Sequence, residues 1–149
     1  MAEKIVIRNK KAGFEYEILE KFVAGIQLQG TEIKSIRMGK AGISEAWCTF
    51  VNGELYVREM HIAEYWWGSF NNHDPKRERK LLLRKKELSK LMRKSQEKGF
   101  SIIATCLFVN ERGLAKLEIA LARGKKAYDK REDLRLKDSR RELDRIRKH

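Results

Sequence analysis

The chain has 149 residues, 34 Lys and Arg against 21 Asp and Glu, a net charge of +13 and a pI near 9.9. That is one domain's length, and its 42% hydrophobic content suffices for a modest core. So basic a field suits a polyanion, and the cations are spread over several segments instead of one amphipathic stripe, which favours nucleic acid over an acidic membrane. The opening residues carry too short an apolar stretch for a signal peptide, and no later run could span a bilayer; cytoplasmic residence without membrane attachment is expected.

In chain order, strand-type composition appears at residues 16–22 and 26–29, where β-branched and aromatic residues are concentrated. A short helix follows at 31–39: its first turn is acidic, its last basic, Ile33 and Ile36 share a face, and Gly39 supplies the stop. Strands are expected again at 47–51 and 55–60, joined through Asn52-Gly53, a strong hairpin signal. Residues 71–80 then form a turn and a charged connection, and a second helix spans 84–98, with Leu88, Leu91 and Met92 inward and Gly99 at its end. The last two strands, 100–109 and 114–121, are joined by a loop containing Gly113. In the second, Ala115, Leu117, Ile119 and Leu121 alternate with Lys116 and Glu118, so Lys116 should meet solvent or a ligand. Cys48 and Cys106 fall in apolar runs without ligand spacing and read as small buried hydrophobes of a reducing compartment.

Six short strands, two hairpins and two to three short helices predict a mainly β fold, with a small antiparallel Greek-key OB-type barrel ahead of a split α+β sheet. The body should cover residues 1–122. Residues 123–149 form a basic tail that buries too little apolar surface to order by itself, although Asp133 with Lys137 and Asp144 with Lys148 have helical spacing. Folding on binding is the expectation for it.

Residues 72–80 are the densest cationic segment of the body. A run of charges is usually a solvated face, but this one follows His61, Tyr65, Trp66 and Trp67, and aromatics beside Arg and Lys are a common way to grip irregular RNA. A nuclease using His73 and Asp74 is the alternative. It is the weaker reading, because one His-Asp pair supplies neither three metal ligands nor a positioned base. No catalytic, metal or cofactor motif stands out, and an RNA-binding protein that is not an enzyme is the preferred reading.

Three motifs carry a family resemblance: Gly30-Thr31-Glu32-Ile33-Lys34-Ser35-Ile36-Arg37; Asn72-His73-Asp74-Pro75 with Arg79-Lys80-Leu81-Leu82-Leu83; and Ala122-Arg123-Gly124-Lys125-Lys126 with Asp129-Lys130-Arg131. In order and spacing they resemble the SsrA-binding protein family, the protein partners of transfer-messenger RNA in trans-translation. The resemblance implies a monomeric OB-type barrel that binds the transfer-RNA-like part of that RNA without a cofactor. It also implies a tail that becomes helical on a stalled ribosome, standing in for codon and anticodon in the decoding centre and mRNA channel. Carried over, the RNA-binding residues are Lys34, Arg37, Asn72, His73, Arg77, Arg79, Lys80, Leu82 and Lys116. The ribosome-binding residues are Gly124, Lys125, Lys126, Tyr128, Asp129, Lys130 and Arg131. One position departs from the pattern: Val23 stands where similar members have an acidic residue, so that carboxylate's role is not carried over, and Val23 is expected to cover part of the barrel.

Overall fold

The structure is a computed structural model and describes residues 5–65 and 72–124. In chain order the elements are β1 (Val6–Arg8), α1 (Ala12–Glu15), β2 (Tyr16–Ile26), α2 (Gly30–Arg37), β3 (Ala41–Gly42), β4 (Trp47–Val51), β5 (Glu54–Arg58), β6 (His61–Ile62), β7 (Arg79–Leu82), α3 (Lys85–Ser95), β8 (Phe100–Val109) and β9 (Ala115–Gly124). Every strand pairing is antiparallel.

The pairings close a ring. Around it the order is β8, β4, β5, β7, β2, β9 and back to β8, a six-stranded barrel of the expected OB type rather than a split sheet. Long β8 serves two neighbours on one edge, β4 at Ile102 and Ile103 and β1 at Cys106 to Phe108. The register slips once in β2, between Ile18 and Glu20, and once in β8, between Ala104 and Cys106. Bulges of this kind bend a strand and increase its twist, which lets two ten- to eleven-residue strands wrap a small barrel.

Both predicted hairpins form. Asn52 and Gly53 have φ of 52° and 78°, the paired positive values of a two-residue type I′ turn, and Val51 faces Glu54 across it. The barrel interior is filled by Leu55, Val57, Met60, Leu81, Leu107, Leu117 and Ile119, with Ile36 of α2 and Leu91 of α3 completing the core, all buried. A second small cluster, Ala12, Ile103, Ala120 and Ala122 beneath Tyr16 and Ile18, lies on the other side of β8 and β9. The far half of β9 is therefore buried on both faces, where simple alternation predicted a half-exposed strand.

Several elements differ from expectation. Residues 16–22 and 26–29 are not two strands: β2 runs unbroken from Tyr16 to Ile26, because Ala24 and Gly25 pair in register with Leu117 and Lys116 despite their low strand propensity. Residues 79–82, of which 79 and 80 were placed in the charged connection and 81 and 82 in no element, are strand β7. Their alternation was hidden because its two inward positions are Arg79 and Leu81, and an inward arginine reads as surface. The short elements β1, α1, β3 and β6 were not anticipated, being two to four residues long. The second helix ends at Ser95, short of residue 98. Cys48 is buried as expected, whereas Cys106, next to the slip in β8, is only half-buried.

Candidate RNA interface

The residues singled out from sequence fall into two layers on one side of the barrel. The inner layer begins at the start of α2. Glu32 is fully buried, and one of its oxygens accepts from the Gln29 amide at 2.8 Å, the backward reach of a capping box, and from Arg77 Nη2 at 2.6 Å. Its other oxygen accepts from Nε of Arg79, which is equally buried. The Arg79 fork continues to the carbonyl oxygens of Met60 at 2.7 Å, Pro75 at 3.2 Å and Asp74 at 3.4 Å. Arg77 Nη2 also donates to the Gln27 carbonyl at 3.2 Å. One carboxylate and two guanidinium groups thereby tie α2, the end of β5, the 74–77 turn and β7 together.

Burial alone would raise the Glu32 carboxyl, but hydrogen bonds from Arg77, the Gln29 amide and Arg79 bring it below the ordinary carboxylate range. Burial lowers the Arg79 guanidinium from its usual value, opposed by the adjacent carboxylate. Both groups stay charged near neutrality. An isolated buried charge would be costly, so this layer exists only because each ion is matched and its remaining donors find carbonyls.

His73 belongs to the same layer. It is 3% exposed, its Nε2 donates to the Ile62 carbonyl at 2.9 Å, and Nδ1, left as the acceptor, takes the Thr31 hydroxyl at 2.8 Å. Asn72 uses its side-chain oxygen to accept from the amides of Tyr65 and His73, at 3.1 and 3.2 Å, and its Nδ2 to donate to the Tyr65 carbonyl at 2.8 Å. Asn72 thus joins the two ends of the 65–72 connection. Asp74 accepts from the Lys76 amide at 2.9 Å and holds the turn. This geometry lends the nuclease alternative no support, since the His73 ring is enclosed with both nitrogens engaged.

The outer layer faces away from the core. Exposed Lys34 places its ammonium 5.4 Å from the Tyr65 ring centre. Arg37, also exposed, donates to the Gly113 carbonyl at 2.9 Å and so links α2 to the β8–β9 loop. Lys80 meets Glu54 at 2.9 Å across β5 and β7. Leu82 on β7 and Lys116 on β9 are both in register with Gly25 of β2, forming a row across three strands. A Cβ on Gly25 would lie 3.4 Å from Leu82 Cβ and 3.7 Å from Lys116 Nζ, so glycine leaves the two side chains free to converge above the strand. Leu82 is 48% exposed, an apolar surface beside a cation. Val23, two residues before Gly25 on the same face, is 52% exposed and does not cover the barrel as expected; it extends the apolar surface.

Of the nine residues assigned to the RNA face, His73 and Arg79 are therefore interior and Asn72 and Arg77 are committed to internal hydrogen bonds. Lys34, Arg37, Lys80, Leu82 and Lys116 lie outward. Gly124 is the last residue of β9 and pairs with Tyr16. Lys125, Lys126, Tyr128, Asp129, Lys130 and Arg131 lie outside the described residues, as do Trp66 and Trp67. Apart from their place in the first family motif, sequence reasoning took Thr31 and Glu32 only as a helix start. The one available signal for more was an acid three residues after Gln29, in a segment otherwise dominated by cations.

The model of the SmpB protein family matches residues 6–149. The chain belongs to the SmpB family of SsrA-binding proteins. The SsrA-binding protein of Cytophaga hutchinsonii is 62% identical over 147 residues, covering 99% of this chain and 96% of that protein. That of Phocaeicola vulgatus is 60% identical over 142 residues, covering 95% of each. A solved chain from a tmRNA–SmpB structure described as a journey to the center of the bacterial ribosome matches with a TM-score of 0.72 and 46% identity. The match covers 88% of this chain and 95% of that one.

Proposed function

We propose that this chain binds the transfer-RNA-like part of transfer-messenger RNA and brings it to stalled bacterial ribosomes for trans-translation, in the cytoplasm, as a binding protein and not as an enzyme. The observation that carries the reading for the body is the row of Leu82, Gly25 and Lys116, with Lys34 and Arg37 outward on the neighbouring helix. It combines an apolar platform for a sugar or base with cations for phosphate, on a rigid curved sheet. That is the chemistry of shape-based RNA recognition, in which phosphates and 2′-hydroxyls count for more than base identity. The comparisons support it, since the relatives are named for binding SsrA and the solved relative is described with transfer-messenger RNA at the ribosome.

In this reading the tail does the ribosomal work: Lys125, Lys126, Lys130 and Arg131 follow a phosphate-lined channel and Tyr128 stacks on a ribosomal base. Titration of the full chain against transfer-messenger RNA by gel shift tests the first part. Tight, salt-sensitive binding is expected, and binding no tighter than to an unrelated RNA of equal length would overturn it. Replacing Asp129, Lys130 and Arg131 by alanine tests the second. RNA affinity should hold while peptide tagging stops in a reconstituted translation assay; unimpaired tagging would refute the tail's role.

A further inference from the structure

The face that carries Leu82, Gly25 and Lys116 continues past β9. Lys116 is in register with Phe108 of β8, and Phe108 with Val6 of β1, so the row crosses five strands. A second row lies on the same face, one step along: Val23 of β2, Glu118 of β9, Cys106 of β8 and Arg8 of β1. Residues two apart on a strand point the same way, about 7 Å from each other, so Glu118 stands beside Lys116. Glu118 is the single carboxylate in the two rows, on a surface that otherwise suits phosphate. Attraction to a polyanion gives it no place there.

The side chain is also held in place. The slip in β8 leaves Thr105 without a partner on β9, and a bulge of this kind re-aims a side chain. The Thr105 hydroxyl, on a buried residue, lies 2.9 Å from Oε1 of Glu118 and 3.1 Å from the carbonyl oxygen of the same residue. Lys21 Nζ is 3.5 Å from that same Oε1, and with side chains 55% and 28% exposed the ion pair contributes little to stability. Both contacts use one oxygen, and Oε2 has no partner among the described residues. A carboxylate oxygen accepts hydrogen bonds and repels phosphate, and the one donor on an RNA backbone is the 2′-hydroxyl. Exposed Val23, directly across from Glu118, offers the apolar contact that a ribose takes. We infer that Glu118 reads a 2′-hydroxyl of the bound RNA beside the phosphate held by Lys116, and that Thr105 is the positioning residue that fixes it. The inference rests on the RNA face proposed above and adds to it a means of telling RNA from DNA.

The test is interference mapping with transfer-messenger RNA carrying scattered 2′-deoxy nucleotides, bound and free molecules being separated by gel shift. It compares the full native chain with Glu118→Ala and Thr105→Val, the folding of each checked by circular dichroism. Glu118→Ala should bind several-fold more weakly, although it removes a negative charge that opposes RNA. One or two sites where a missing 2′-hydroxyl weakens native binding several-fold should become indifferent in that variant. Thr105→Val keeps the carboxylate but not the hydroxyl that holds it, and should blunt the same sites. Unchanged or tighter binding by Glu118→Ala would overturn the assignment. So would weaker binding with a 2′-deoxy pattern identical to the native one, since the carboxylate would then serve a base contact or the fold alone. Native-like interference in Thr105→Val would overturn its positioning role. A native chain that binds transfer-messenger RNA no tighter than an unrelated RNA fails the parent reading; a native preference that Glu118→Ala leaves intact fails this inference alone.

Discussion

Arg79 and Lys116 are both cations on barrel strands, yet they occupy opposite environments. Arg79 is sealed under α2 and donates to one carboxylate and three carbonyls, while Lys116 leans over Gly25 toward solvent beside Leu82. The first holds the 74–82 segment in one conformation; the second is available to a phosphate. Charge on a binding surface therefore divides into a part that builds the surface and a part that uses it, and only the second should answer to salt.

The largest effect should come from breaking the buried layer. Arg79→Ala removes one of the two guanidinium partners of enclosed Glu32 and the donor to the buried Met60 carbonyl, so urea unfolding should show a loss of about 3–5 kcal/mol, with RNA affinity falling as the segment loosens. A loss below about 1 kcal/mol would mean the layer is not the clamp described, since that is the range of exposed pairs.

Acid should act on the same layer. The folded Glu32 carboxyl lies below its ordinary value of about 4.3, so its contribution is complete above that pH and is lost as pH falls through the lower folded value. Stability measured across this acid range should drop more steeply for the native chain than for Glu32→Gln. Parallel curves for the two would contradict the assignment.

Lys116→Ala should leave the unfolding midpoint nearly unchanged, within about 0.5 kcal/mol, while reducing the slope of log K against log salt by about 0.7–0.9. Arg79 variants should weaken binding with no change in that slope. A reversed pattern would erase the distinction between the two cations.

The smallest expected effect concerns Lys80, held by Glu54 at 2.9 Å, a contact that raises the Lys80 ammonium and lowers the Glu54 carboxyl. Glu54→Gln releases the lysine, and RNA should bind slightly tighter at low salt with unaltered stability. Weaker binding would place Lys80 outside the interface.

Much of the fold was legible because local rules agreed with it: Asn52-Gly53 dictated a type I′ hairpin, Ile33 and Ile36 marked the inner face of α2, and the alternation from Ala115 to Leu121 marked a strand. Where global pairing overrode local preference the sequence misled, as in the unbroken β2 through Ala24 and Gly25. The site divides in the same way. Lys116 could be placed outward from the alternation of its strand, because an unpaired lysine ammonium belongs in water, whereas Lys34 and Leu82 entered only through the family resemblance. Arg79 and His73 could not be placed inward, because their burial depends on Glu32, Thr31 and the carbonyls of Met60 and Ile62, which lie distant in sequence.

By itself, then, the sequence determined the mainly β character, the hairpins, the excess of positive charge and the family, all of which follow from composition, short-range spacing and ordered motifs. Only the tertiary structure decided which cations are held by internal partners and which face outward, that the strands close into a ring, and that β4 and β8 part beyond Cys48. The reason is one of range. Propensity and periodicity act over a few residues, whereas the matching of Glu32 with Arg79 and the β2–β9, β2–β7 and β4–β8 pairings of the barrel join residues about fifty or more positions apart along the chain.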